Sequence, residues 1–132
     1  MSAESNCRVL ETVLEEEGQR IVLRRELRTL TQRLLAPLIG ISRGSLRKFL
    51  GMSTPGDSTR ERIRQWCADR PEPDVPPGAV ALAILAADFR AADRARVRRT
   101  VAELLVELFA ARGDQPPPWL VDEIAADFDA FR

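Results

Sequence analysis

The chain has 132 residues, of which 45% are apolar, which suffices for one globular domain or for a small domain with an appendage. Twenty basic and twenty acidic residues cancel, and histidine and tyrosine are absent. Without histidine, with one lysine and with no glycine-rich phosphate loop, the usual general bases and nucleotide cradles are missing. We therefore expect neither an enzyme nor a cofactor.

The two cysteines, Cys7 and Cys67, are far apart and lack metal-ligand spacing, so we expect no disulfide framework and no metal site. Residues 2–17 are too polar for a signal peptide. The longest apolar run, residues 79–87, is far shorter than the roughly 20 residues that span a membrane. The expectation is a cytoplasmic protein with no membrane partner.

Apolar residues recur at helical spacing and no segment alternates as a strand does, so the fold class is predicted to be all-α. The first two helices are predicted over 4–17 and 19–30, with Gly18 ending the first. Leu23, Leu27 and Leu30 share one face of the second helix.

Residues 31–51 predict two short helices joined by a tight turn at Gly40, a residue that accepts a left-handed backbone. Ser42 is the predicted N-cap of the second helix. Pro37 lies inside the first helix, so we expect that helix to be kinked or its start shifted. The predicted inward residues are Leu35, Ala36, Ile39, Ile41, Leu46 and Phe49.

Charge is concentrated around these two helices. Residues 19–70 hold twelve Arg or Lys and four Asp or Glu, a net charge of +8, and the rest of the chain carries −8. A basic segment in a neutral chain is typical of a nucleic-acid surface, although solvated helix faces are the simpler alternative. The outer face of the second short helix is free of acids and suits a DNA major groove.

Over about residues 19–70 the chain resembles the lambda-repressor-like (Cro/cI, Xre-type) helix-turn-helix family. Thr31-Gln32 is similar to the family's Thr-Gln start, and Ala36, Gly40 and Ile41 fall at its small, turn and core positions. Pro37 departs from the pattern. We expect DNA contacts from Gln32, Arg43, Gly44, Ser45, Arg47 and Lys48, and phosphate contacts from Arg24, Arg28 and Thr31. A helical hairpin used only for packing or protein contact is the alternative.

A loop over 51–58 precedes a helix predicted over 59–69, which Ser58 and Glu61 begin as a capping box. The proline-rich stretch 71–78 is predicted to be a stiff connector between a DNA-binding domain, 1–70, and a helical region, 79–132.

The helical region is predicted to hold helices over 79–89, 94–111 and 119–131, with Asp93 capping the second. Its apolar stripe predicts a dimer interface, and an intramolecular cap over the first domain is the alternative. The arginine run from Arg94 to Arg99 is interpreted as a solvated helix face, with an added phosphate contact as the alternative. The predicted interface residues are Val101, Leu104, Leu105, Leu108, Phe109 and Phe128.

Together these patterns predict a homodimeric transcription repressor that binds a palindromic operator in double-stranded DNA. The alternative is an interaction protein, such as an antitoxin, whose C-terminal helices bind a partner protein. The oligomeric state of the purified chain separates the two.

Overall fold

The computed structural model of the chain describes residues 3–125, with side chains described from residue 8 onward. Over this range the chain forms helices and no strand, which confirms the all-α prediction. In the same range no helix is long and apolar enough to cross a membrane. The helices are α1 (Ala3–Glu26), α2 (Gln32–Ile39), α3 (Arg43–Leu50), α4 (Asp57–Ala68), α5 (Pro77–Ala87), α6 (Ala91–Ala111) and α7 (Pro118–Ala125).

The first helix is continuous, so the predicted break at Gly18 is wrong. Gly18 is buried, and a Cβ at this position would lie 3.6 Å from Val75 Cγ2 and 3.7 Å from Pro73 Cγ. A glycine inside a helix costs only about 1 kcal/mol relative to alanine. The distances to Val75 and Pro73 are ordinary van der Waals distances, so space does not require a glycine here, and the packing of the buried neighbours Glu17, Gln19 and Arg20 offsets the cost.

The fourth helix begins one residue before the predicted capping box. Gly56 is its N-cap and makes no side-chain hydrogen bond, so the prediction that Ser58 caps this helix is wrong. Glu61 instead accepts a hydrogen bond from Arg64 Nη1 at 3.0 Å. This pair lies on the exposed side of α4.

The C-terminal helices also begin earlier than predicted. Pro77 occupies the first turn of α5, where its missing N–H leaves no hydrogen bond unmade. The N-cap of α6 is Arg90, so Asp93 lies within the first turn and does not cap the helix. Pro118 begins α7.

One core is shared by the first four helices. Leu23 of α1 meets α2, α3 and α4 there, and the predicted inward residues of α2 and α3 are all buried or packed against it. Burial raises the pKa of the nearby Cys67 thiol to about 11, which keeps this thiol protonated and unreactive. The buried members are Leu23, Leu35, Ala36, Ile39, Leu46, Phe49, Leu50 and Ile63.

A second core joins α5, α6 and α7 around Leu82, Ala102 and Leu120. Three residues of the predicted dimer stripe, Val101, Leu105 and Phe109, pack against this core within the chain. Gly78 lies directly beneath the indole ring of Trp119, where a Cβ would clash with the ring. This close contact fixes the start of α5 against α7.

A buried ion cluster ties the two cores together. Arg98 of α6 is fully buried and donates to Glu17 of α1, with Nη1 2.8 Å from Oε2. It also donates to Glu123 of α7 through Nε and through Nη2, the latter at 3.0 Å from Oε2. The interpretation of the arginine run as a solvated face is therefore wrong for Arg98. We call Glu17, Arg20, Arg98 and Glu123 the buried ion cluster.

Arg20 extends this cluster to the end of α3. Its side chain is 4% exposed, its Nε donates to the Phe49 carbonyl at 2.8 Å, and its guanidinium lies 4.6 Å from the centre of the Phe49 ring. Burial lowers the pKa of Arg20 to about 10, which still leaves it charged at neutral pH. The cluster thus sets where α3 ends relative to α1.

We expect acid to weaken this junction. Burial alone would raise the pKa of Glu17, but the hydrogen bonds and charge of Arg98 outweigh burial and hold the pKa below its ordinary value of 4.5. The stabilisation from Glu17 is therefore complete above that ordinary value and is lost as pH falls through the lowered value. Urea unfolding from about pH 6 to about pH 3 measures this loss, and Glu17→Gln should reduce the slope. Equal slopes in the two proteins would contradict the expectation.

Candidate functional site

The turn between α2 and α3 is held by a left-handed glycine. Gly40 has φ +91°, and its N–H donates to the Ala36 carbonyl at 3.0 Å. The Ile41 N–H donates to the same carbonyl at 3.1 Å, and the Ile41 side chain packs against the first core. A side chain at position 40 would be strained, so the predicted turn residue is confirmed.

Hydroxyl groups cap both short helices. Thr31 Oγ1 accepts from the Leu34 N–H at 3.3 Å, and Ser42 Oγ accepts from the Ser45 N–H at 3.0 Å. These contacts satisfy donors that have no partner inside the helix, and they confirm Ser42 as the N-cap of α3. Ser42 Oγ also lies 2.9 Å from Ser45 Oγ, so the Ser45 hydroxyl belongs to the cap.

Pro37 does not shift the start of α2, which begins at Gln32 and continues past the proline to Ile39. A proline at this position removes the hydrogen bond to the carbonyl of Arg33. Arg33 and Pro37 are both exposed. Because this side of α2 faces solvent, the helix tolerates the missing bond.

The outer side of α3 carries three exposed cations, Arg43, Arg47 and Lys48, which we call the α3 basic face. Neither α2 nor α3 contains an acidic residue. Within residues 8–125 none of these three cations forms an ion pair with a neighbouring carboxylate. Their charge is therefore available to a partner outside the chain.

The other predicted contact residues surround this face to different degrees. Gln32, Gly44 and Ser45 are half-buried at the starts of α2 and α3. Arg28 and Thr31 are exposed in and just after the turn that links α1 to α2. All but one of the predicted contact residues thus lie on α2, on α3 or in the segment that links α1 to α2.

Arg24 is the exception. Its Nε and Nη2 atoms are buried, and burial lowers its pKa. Arg98, Glu17 and Glu123 act on its charge, so its guanidinium lies beside the buried ion cluster. We therefore move Arg24 from the predicted phosphate contacts to the surroundings of that cluster.

Arg62 is a surface cation that the sequence patterns did not single out. It is exposed on α4, and a Cβ built on Gly40 would lie 2.7 Å from its Nη1 atom. Arg62 thus places a charge beside the turn that precedes α3. Sequence spacing could not show this, because α4 reaches the turn only through the packing of Ile63 into the first core.

Comparisons with protein-family models, with curated proteins and with solved structures found no match to this chain. The likeness to the lambda-repressor-like family therefore rests on the residue pattern of positions 31–51.

Proposed function

We propose that the chain is a sequence-specific DNA-binding transcription regulator in which α2 and α3 form a helix-turn-helix. The observation that carries the proposal is the α3 basic face, Arg43, Arg47 and Lys48, exposed and without an acidic partner in the described part of the chain. Arginine and lysine donate to guanine O6 and N7 in the major groove. A helix that presents them on a rigid two-helix support matches the docking geometry of this motif.

The roles divide by position. Arg43 stands at the first turn of α3, and residues there contact base edges in helix-turn-helix complexes. Lys48 stands in the last turn and reaches base edges or phosphates. Arg28, Arg33 and Arg62 flank the pair and supply phosphate contacts, which position the protein without reading sequence.

Selection from random DNA duplexes by the purified chain tests the proposal. We expect enrichment of a short motif, and a symmetric dimer should select two half-sites about one helical turn apart. Recovery of random sequences, with binding that disappears as salt rises, would contradict sequence-specific recognition.

Gly44 provides a test of how closely α3 approaches DNA, with a substitution that leaves the fold intact. A Cβ at this position would meet only Ser42 Oγ, at 3.9 Å, so nothing inside the chain requires a glycine. Gly44→Ala should keep or raise stability by up to about 1 kcal/mol, because alanine favours a helix. We expect the same methyl group to weaken binding to the selected operator, since it holds α3 away from the DNA.

Gly56→Ala is the control, because a Cβ there has no atom within 4 Å and the residue belongs to neither α2 nor α3. Because Gly56 is the N-cap of α4 and alanine is a poorer N-cap, this variant should lose some stability. It should leave DNA affinity unchanged. Thermal melting and fluorescence anisotropy on the operator measure the two effects. If Gly44→Ala binds the operator as tightly as the parent does, α3 does not approach DNA closely at this point.

We also propose that the regulator is a homodimer that associates through α6. Leu104 and Leu108 are 56% and 63% exposed on this helix and lie one turn apart. Phe128, the remaining member of the predicted interface, lies outside the described residues. Because Leu105 packs inside the chain, a change there disturbs the fold, and Leu108 is the better position to test.

Leu108→Asp should dissociate the dimer, because an unpaired carboxylate in an apolar contact costs several kcal/mol, and should leave the melting temperature of the monomer unchanged. Leu85→Asp, at a residue 43% exposed on α5, is the control and should remain dimeric. Analytical ultracentrifugation measures both. A Leu108→Asp protein that sediments as the parent does would place the interface elsewhere.

Exposed apolar residues on α1 favour a second candidate, a protein that binds a partner protein through α1 and not through the C-terminal helices of the alternative predicted from the sequence. Val9, Leu10 and Leu14 are each about half exposed in the first part of this helix. If a partner protein normally covers these residues, the chain purified without that partner should aggregate through them. A monodisperse dimer favours the regulator.

A further inference from the structure

A cleft of about 290 Å³ lies where α1, α4, α5 and α6 meet, near the lower end of the range for small-molecule sites. One wall is apolar and is formed by Val9 and Val13 of α1 and Ala83 of α5. The charged part of its lining holds four arginines and one carboxylate, Arg8, Arg20, Arg60, Arg94 and Glu16. The cleft therefore combines an excess of positive charge with an apolar surface.

Arg60 is a partly buried cation of this cleft that has an unused hydrogen-bond donor. Its Nε atom is buried and makes no hydrogen bond to any described residue. Its Nη2 lies 3.8 Å from Glu16 Oε1, which is beyond hydrogen-bond distance. Buried donors in folded proteins nearly always have an acceptor, so Arg60 has unused capacity for an oxygen ligand.

We propose that this cleft binds a small organic anion, with a carboxylate or phosphate head group at Arg60 and a short apolar body against Val9, Val13 and Ala83. Arginine is suited to both head groups, because its planar fork donates two parallel hydrogen bonds to either of them. The excess of cations over the single carboxylate attracts the anion.

The cleft is connected to the end of α3. Met52 and Thr54, which follow this helix, line the cleft. Met52 has φ +74°, a strained value for a residue other than glycine, and Arg94 Nη1 donates to its carbonyl at 3.0 Å. An anion in the cleft competes with the Met52 carbonyl for the hydrogen bond that Arg94 donates. The ligand therefore shifts the segment after α3, and this second step rests on the proposed DNA-binding function.

Calorimetry on the full chain tests the site with four probes. Hexanoate and hexyl phosphate carry both a charge and an apolar body, hexanol lacks the charge, and acetate lacks the body. We expect at least one of the two six-carbon anions to bind with a Kd of about 1 mM or tighter, and hexanol and acetate to bind at least about tenfold more weakly. The tighter of the two anions identifies the head group. Binding of hexanol as tight as that of the anions, or no saturable binding of either anion, would overturn the proposal.

Arg60→Gln should weaken binding of the preferred anion by about tenfold or more, because it removes a charged hydrogen-bond donor. Arg62→Gln is the matched control on the same helix, since Arg62 does not line the cleft, and it should bind the anion as the parent does. Arg8→Gln, at an exposed residue of the cleft, provides a second variant that keeps the fold. Parent-like affinity in both Arg60→Gln and Arg8→Gln would exclude the site.

Operator affinity with and without the preferred anion gives a separate readout. A change in affinity that Arg60→Gln abolishes supports the connection between cleft and α3. Unchanged affinity despite calorimetric binding overturns that connection and leaves the site itself intact. A chain that binds the anion but no DNA sequence overturns the proposed function alone.

Discussion

Replacing Arg98 by methionine should destabilise the folded chain by about 3–5 kcal/mol. The change keeps much of the apolar volume but removes the guanidinium that donates hydrogen bonds to both Glu17 and Glu123, and it leaves Glu17 only the more distant Arg20, with Nη1 3.7 Å from Oε2. Desolvation of two carboxylates is expensive once the guanidinium that offsets it is gone. Urea unfolding followed by circular dichroism measures the loss.

The neighbouring arginine supplies a matched control. Arg99 is exposed and pairs with Glu103 one turn along α6, with Nε 3.2 Å from Oε1. A pair of this kind contributes about 0–1 kcal/mol, so Arg99→Met should be nearly neutral. Equal effects of Arg98→Met and Arg99→Met would show that the buried ion cluster does not stabilise the fold.

A triple variant separates two causes of the lost stability, the loss of the Arg98 side chain itself and the burial of carboxylates without it. Adding Glu17→Gln and Glu123→Gln to Arg98→Met removes both buried carboxylates, and we expect most of the lost stability to return. Buried ion pairs replaced as a set are often close to neutral, whereas removal of one partner is strongly unfavourable. If stability does not return, the cost lies in the packing of Arg98 or in the buried Arg24, whose charge Glu17 and Glu123 also stabilise.

Arg43→Ala should reduce the free energy by which the chain prefers its operator over random duplex by about 1–3 kcal/mol. The ratio of the two affinities should fall accordingly. The residue stands at the first turn of α3 with an exposed side chain, where a guanidinium reaches base edges. Anisotropy titrations on both duplexes over a salt series measure the ratio. They also give the number of ions released on binding.

Arg28→Ala is the comparison, because this exposed residue precedes α2 and faces a backbone phosphate in the proposed complex. It should weaken binding to both duplexes alike and reduce the salt slope by about one ion. An unchanged ratio for Arg43→Ala would mean that α3 does not read the sequence. The interpretation of α2 and α3 as a protein-contact hairpin would then be favoured.

Short-range signals predicted the α2–α3 pair well. Gly40 adopts the left-handed turn and Ser42 caps α3, because each depends on residues within one turn. The helical spacing also identified Leu46 and Phe49 as the buried side of α3, although the residues that cover them, such as Leu23 and Ile63, are distant in sequence. The same signals failed at Gly18. There the tertiary packing of the buried neighbours Glu17, Gln19 and Arg20 outweighs the weak preference of glycine to end a helix.

The buried ion cluster was beyond the reach of the sequence patterns for a related reason. Arg98 sits in a run of arginines that looks like an exposed helix face, and its partners are 81 and 25 residues away. Arg24 was misplaced in the same way, since its spacing matches that of the exposed Arg28. Which arginine is buried depends on how α6 and α7 pack on α1, and no local pattern encodes that packing.

The position of Glu123 has a consequence for synthesis of the protein. Chains fold from the N-terminus as they leave the ribosome, and the residues of the first core emerge well before α6 and α7. Until those helices arrive, Glu17 has only cations of its own helix nearby, such as Arg20 with Nη1 3.7 Å from Oε2, and it lacks the hydrogen bonds that Arg98 donates in the folded protein. We expect α1 to be held less firmly on the first core until the chain is almost complete, and chains truncated before α6 to unfold at a lower urea concentration and, in the proposed function, to bind DNA more weakly.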